Sequence, residues 1–204
     1  MARTLLVTGF GSFPGVSANP SEAVIRRLAE TPPQLPEGMR SAFAVLPVTW
    51  TMLEETLPEL CERHAPAAVL HFGVASKRRM ICVEARARNR ASIDRPDASG
   101  QHRLDPMLDR NGPAARPSTL SSARLIAAIR ASGVAARRSD DAGDYLCNAT
   151  LWRSLIAGFP ASFIHLPNAD TPGGPDVADL ERAARAAITA VAEGIGAKEG
   201  GLTR

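Results

Sequence analysis

Thiols, lysines and aromatic rings are all scarce in this sequence, and long apolar runs are missing from it. Its three cysteines, at 61, 82 and 147, are odd in number and make no C-x-x-C pair, which argues against a disulfide framework and against a thiolate zinc site. Each thiol must therefore be judged alone. No stretch approaches the roughly 18 uninterrupted apolar residues of a membrane span. The apolar run in the opening MARTLLVTGFG is too short for a signal peptide and has no obvious cleavage site. The expected address is the cytoplasm, with no membrane partner. Lysine occurs only at 77 and 198, so the net charge of +3 rests on arginines spread among acids and alanines rather than gathered on one tail. That spread argues against a nucleic-acid binder.

What is present is globular. With 204 residues, 45% apolar and 22% charged, the chain can bury a sizeable core without disulfides or structural metal. We expect one domain over 1–204, with no internal repeat and no long linker. Short apolar or β-branched runs alternate with longer helical stretches, the pattern of an α/β fold with a mostly parallel sheet covered by helices. Strands are expected at 3–8, 42–48, 67–74, 134–140 and 161–167, with a further extended run over 80–91. Helices are expected at 21–29, 52–64, 119–132, 148–156 and 177–192, with 194–204 frayed. Residues 94–117, rich in Pro, Gly and Asp, read as a long loop, which is usually functional or an interface.

In open α/β sheets ligands bind beyond the carboxyl ends of strands. Cys147 follows the turn DAG where a helix should begin, a position whose orphan amides and dipole favour a thiolate nucleophile. The same residue also reads as a small buried hydrophobe. His165 is the single polar residue in the apolar run SFIHLP and needs a partner if buried; it is either a satisfied core histidine or the base of a thiolate–imidazole pair. Cys61 and Cys82 read as structural, and His64 and His102 as solvated. Strict alternation along ICVEARARN puts Cys82, Glu84, Arg86, Arg88 and Arg90 on one face. Glu84 there is either paired with Arg86 on a solvated face or the carboxylate that orients a catalytic base. The loop TGFGSFPGVSANPS lacks the ending of a P-loop and the spacing of a dinucleotide fingerprint. Its Phe10 and Phe13, two of only nine aromatics, suit the walls of a small apolar pocket or core packing.

Taken in order, TGFGSFPGVSANPSEAV, ICVEARARN followed by RPD, NGPAARPSTL, DAGDYLCNATLW and FIHLPNA resemble the pyroglutamyl peptidase I family, over about residues 4–168. The resemblance implies a cofactor-free, metal-free cytosolic cysteine peptidase that removes N-terminal pyroglutamyl residues from small peptides. It also implies a three-layer α/β/α domain, often a homo-tetramer in bacteria. It places Cys147 on the nucleophile, His165 on the general base and Glu84 on the acid, with Phe10, Phe13, Asn19, Val74, Tyr145 and Leu146 on pocket positions. The chain departs from the family around the Glu strand. A glycine-rich AGGR-like turn is replaced by ASKRR, an Arg common ten residues after the Glu gives way to Asp94 with Arg95 beside it, and Arg116 and Pro117 stand where aromatics are common. These changes put the substrate and the subunit contact in question more than the reaction: a cysteine amidase for another blocked N-terminus is the nearest alternative. A non-enzymatic protein using the arginine face to bind an acidic partner is a remoter one. A pocket reached by Arg86 or Arg88 would point to an acidic substrate.

Overall fold

Asn19 and Pro20 start the first helix as local chemistry demands. The Asn19 side chain accepts from the Ser21 amide, and Pro20, whose missing N–H costs nothing there, is the first helical residue. This is α1, Pro20–Glu30. In the computed structural model, which describes residues 2–13, 15, 18–169 and 173–196 and the backbone of 197–200, it follows strand β1, Arg3–Phe10. Gly9 allows the close fit between them, since a Cβ there would lie 2.6 Å from Ile25 and 2.7 Å from the Ser21 carbonyl oxygen.

The remaining elements are β2 (Met39–Leu46), a 3-10 turn (Thr51–Leu53), α2 (Thr56–His64), β3 (Ala68–Val74), β4 (Ile81–Glu84), β5 (Arg86–Arg88), β6 (Ala115–Pro117), α3 (Ser122–Ala131), β7 (Ala136–Ser139), α4 (Leu146–Ile156), β8 (Ala161–Leu166) and α5 (Val177–Gly200). Six strands form one sheet in the order β2-β1-β3-β8-β4-β7. The first four are mutually parallel; β4 pairs antiparallel with β8 and parallel with β7. The sheet is therefore mostly parallel, and helices cover both faces. Leu5, Val7, Leu70, Phe72 and Ile164 pack against Ile25, Leu28, Ile129 and Ile188 of α1, α3 and α5. Leu6, Phe10, Val69 and Phe163 pack against Leu57, Leu151 and Trp152 of α2 and α4. Burial of this kind contributes about 25 cal/mol per Å² of apolar surface, so the fold rests on these two layers rather than on the exposed arginine pairs.

Three expectations change. The extended run 80–91 is not one strand: after Glu84 the chain leaves the main sheet, and β5 pairs antiparallel with β6 instead. Ala85 marks the switch, donating to the Ser139 carbonyl and accepting from the Ser118 amide. The helix expected at 52–64 breaks between Leu53 and Thr56. The last helix runs past 192 to Gly200; the rest of the segment expected to fray, 201–204, lies outside the described residues. The long loop is irregular except for its last three residues, which form β6, and one buried carboxylate organises part of it. Asp97 Oδ2 accepts from the Trp50 amide at 2.8 Å, and Oδ1 accepts from the Ser99 and Gln101 amides. Those bonds outweigh its burial and hold Asp97 below the usual carboxylate range.

Candidate active site

The first-turn amides of a helix have no intrahelical acceptor, and α4 begins with Tyr145 as a side-chain-free cap, Leu146 first and Cys147 second. The half-buried thiol therefore sits where amides and the helix dipole favour negative charge. A buried Asn148 anchors this end of the helix: its Nδ2 donates to the carbonyls of Arg88 and Arg90, and its Oδ1 accepts from the Arg88 amide. Sequence reading missed that role, because nothing local in DYLCN shows that β5 lies alongside.

His165 projects from β8 on the face that carries Phe163, directly opposite Cys82 of β4. Its Nδ1 lies 2.8 Å from Glu84 Oε1, and Cys147 is near enough for its charge to act on the ring. Glu84 itself is fully buried. Burial alone would disfavour a charged imidazole, but the negative charges of Cys147 and then Glu84 outweigh it and push His165 up to about 9. Burial likewise works against the Glu84 carboxylate, and His165 first, then Ser139 and Arg78, outweigh that, holding it below its ordinary value. The structure thus brings together all three residues singled out in the sequence. Glu84 reaches the site from β4, which runs against β8 and the three strands parallel to it, so its meeting with His165 depends on that antiparallel pairing.

Glu84 does not pair with Arg86, and its face is not solvated. Arg86 and Arg138 pair with Asp140, and Arg90 and Arg88 with Asp141, so the arginine ladder is largely neutralised at the surface. Neither Arg86 nor Arg88 lines the cavity.

That cavity, about 550 Å³, opens beside Cys147 and His165. Phe10, Phe13, Asn19, Val74, Tyr145 and Leu146 all line it, with Lys77, Arg78 and Arg95 as cations. Asn19 is already committed: its Nδ2 donates to the Gly11 carbonyl and its Oδ1 caps α1. Arg95, next to the displaced family position, stacks its guanidinium 4.0 Å from the Tyr145 ring centroid and 6.0 Å from that of Phe13. The Tyr145 hydroxyl donates to the Pro96 carbonyl, so the long loop supplies part of the wall.

Gly73, in the central strand, is a steric requirement. A Cβ there would lie 2.7 Å from Phe163 Cζ and 3.1 Å from Cys147 Sγ. Gly73→Ala is expected to cost about 1–3 kcal/mol of stability through overpacking and to slow alkylation of Cys147, read by chemical denaturation and iodoacetamide kinetics. Unchanged values in both would show that the neighbours yield.

A second buried histidine has a different character. His71 bridges Thr8 Oγ1 (2.7 Å) and Ser154 Oγ (2.9 Å), tying β1 and α4 to β3. Burial without a counter-charge pushes it down to about 3, so it is a neutral structural link. Cys61 and Cys82 are buried as expected, and burial raises the Cys61 thiol. Among the described residues no group of three or more His, Cys, Asp or Glu is placed to hold a metal ion, and no helix is long and apolar enough to cross a membrane.

Comparison with known proteins agrees with this geometry. The family model described as pyroglutamyl peptidase matches residues 3–172. The pyrrolidone-carboxylate peptidase of Thermococcus kodakarensis is 34% identical over 169 residues, 80% of each chain. That of Escherichia fergusonii is 33% identical over 199 residues, 93% of this chain and 91% of its own. Among solved structures, pyrrolidone carboxyl peptidase from Thermus thermophilus superposes with a TM-score of 0.79 at 34% identity, covering 91% of this chain and 98% of that one. Pyroglutamyl peptidase I of Bacillus amyloliquefaciens gives 0.82 at 26% identity, covering 93% and 97%. The family model's match spans the whole sheet and every segment that forms the cavity and ends before α5, and by it this chain belongs to the pyroglutamyl peptidase family of cysteine peptidases.

Proposed function

We propose that this chain removes N-terminal pyroglutamyl (5-oxoprolyl) residues from small peptides, with Cys147 as nucleophile, His165 as general acid and base, and Glu84 as the carboxylate that orients His165. The observation that carries this reading is that His165, 2.8 Å from the buried Glu84 carboxylate, lines the same cavity as Cys147, walled by Phe10, Phe13 and Tyr145. The lactam is uncharged, so aromatic walls and a few amide contacts suit it better than an ion pair.

In this mechanism the Cys147 thiolate attacks the pyroglutamyl carbonyl carbon, and the amides of the first turn of α4 stabilise the oxyanion. The C–N bond breaks as the His165 imidazolium gives its proton to the leaving amine, which leaves a thioester on Cys147. His165, now neutral, takes a proton from water. The hydroxide so formed attacks the thioester carbonyl and releases pyroglutamate, and the thiolate–imidazolium pair is restored. Phe163, whose ring centroid is 4.7 Å from that of His165, flanks the imidazole, and Glu84 balances its charge. The same proposal takes the chain as one domain, on the strength of two core layers sharing one sheet. From the family resemblance it takes the working form to be a cytoplasmic homo-oligomer.

The test is hydrolysis of a fluorogenic pyroglutamyl amide by the reduced protein beside a matched prolyl amide, which has the ring but lacks the lactam carbonyl. Release from the pyroglutamyl substrate alone, blocked by prior alkylation of Cys147, is the expected result. Equal rates on both, or no release while Cys147 alkylates normally, would transfer the machinery to a different substrate.

A further inference from the structure

Most arginines near the cavity are spent on surface acids, but Arg78 points inward. From the turn between β3 and β4 its Nη1 donates to Glu84 Oε1 at 2.5 Å and its Nη2 to the Asp141 carbonyl at 2.7 Å. Oε1 is the same oxygen that faces His165 Nδ1. Arg78 also lines the cavity with Cys147 and His165, and its side chain is mostly covered. One guanidinium thus ties the buried carboxylate to the segment that leads into the nucleophile's helix, and it adds a fixed positive charge beside both. The turn that carries it is Ala75-Ser76-Lys77-Arg78.

We propose that Arg78 is a positioning residue that holds Glu84 against His165 and, through its charge, sets the pH range in which Cys147 and His165 are thiolate and imidazolium. This rests on the assignment of those three residues above. A planar guanidinium suits the task because it can span two acceptors at once and stays charged throughout the working range. The other charged or titratable groups around this centre are the Cys147 thiol from α4, Cys82 beside Glu84 on β4, Lys77 on the same turn, Asp144 just before α4, and Tyr145 and Arg95 on the cavity wall. The Asp141 carboxylate is engaged by Arg88 and Arg90. None of these replaces the Arg78 contact to Glu84.

The sign follows from charge alone. Removing a nearby cation raises the pKa of every neighbouring group, thiol and imidazole alike. In Arg78→Gln and Arg78→Met, neutral side chains of two shapes that guard against a folding failure of either, both limbs of the kcat/KM–pH profile on the pyroglutamyl amide should move alkaline. So should the midpoint of Cys147 alkylation by iodoacetamide, followed by mass spectrometry of the Cys147 peptide. The shift expected is about one pH unit, with kcat down at least about tenfold. Arg78→Lys should return the midpoints most of the way while recovering less of kcat, because an ammonium keeps the charge and loses the two-acceptor fork. Wild-type midpoints in the neutral variants, whatever their rates, or a shift toward acid would overturn the proposal. Alkylation needs no substrate, so a wild-type protein that fails on pyroglutamyl amides but shows the Arg78-dependent midpoint would sink the substrate assignment and leave this inference standing.

Discussion

Cys147→Ala should abolish pyroglutamyl amide hydrolysis, with kcat down by at least about 10⁴-fold, because loss of a nucleophile leaves only binding and oxyanion contacts to accelerate the reaction. The change removes one half-buried atom, so the fold should survive it. A further consequence separates a catalytic thiol from a packed one. Burial opposes the charged form of His165, and the Cys147 thiolate is the largest influence that overcomes it, ahead of Glu84. Without the thiolate the His165 midpoint should fall from about 9 toward its ordinary 6.5 or below. Ring-proton NMR of the variant against wild type reads this directly. Retained activity, or a His165 midpoint that stays put, would remove Cys147 from the proposed role.

Glu84→Gln keeps the shape of the side chain and deletes its charge. Two cations, Arg78 and the His165 imidazolium, then face a neutral amide in a fully buried position. Breaking a buried pair from one side costs about 3–5 kcal/mol, and an imidazole without its orienting carboxylate loses about 10³- to 10⁴-fold in kcat. The pH dependence carries the same signature. Glu84 is held below its ordinary 4.5, so its contribution to stability is present above that value and is lost as pH falls through the lower folded value. His165 is raised from 6.5 to about 9, so its contribution is complete below 6.5 and is lost as pH rises through about 9. Wild-type thermal stability should therefore carry the full benefit of the pair between 4.5 and 6.5 and decline on either side. Melting curves of Glu84→Gln across this range should be flatter in both directions. A variant with wild-type melting and activity would show that Glu84 neither orients nor balances His165.

The fold was largely legible in the chain because its determinants are local. Apolar runs such as AAVLHFGV and ASFIHLP, bounded by turn residues, read as strands central to a sheet. The two failures nearest the site share one cause. The run 80–91 alternates perfectly, and period alone cannot tell that Ala85 hands the chain from one sheet to another; that depends on where Ser118 and Ser139 lie. Pairing with Arg86 was one of two readings of Glu84, because Arg86 is two residues away on the same face of an ideal strand. The real partner, Arg78, comes from the preceding turn.

The sequence by itself determined the class of fold and singled out Cys147, His165, Phe10 and Phe13 as candidates, since each is marked by residue type and by position relative to a strand or helix end; the roles proposed for Cys147 and His165 came only with the family resemblance. Tertiary structure alone decided that β4 runs against β8, which delivers Glu84 to His165. It also decided that Gly73 leaves room for the thiol, that Asn148 pins its helix to β5, and that Arg78 rather than Arg86 meets the carboxylate. These are contacts between segments far apart in the chain or across a turn. Their geometry is fixed by how the layers pack, and no local pattern of residues encodes it.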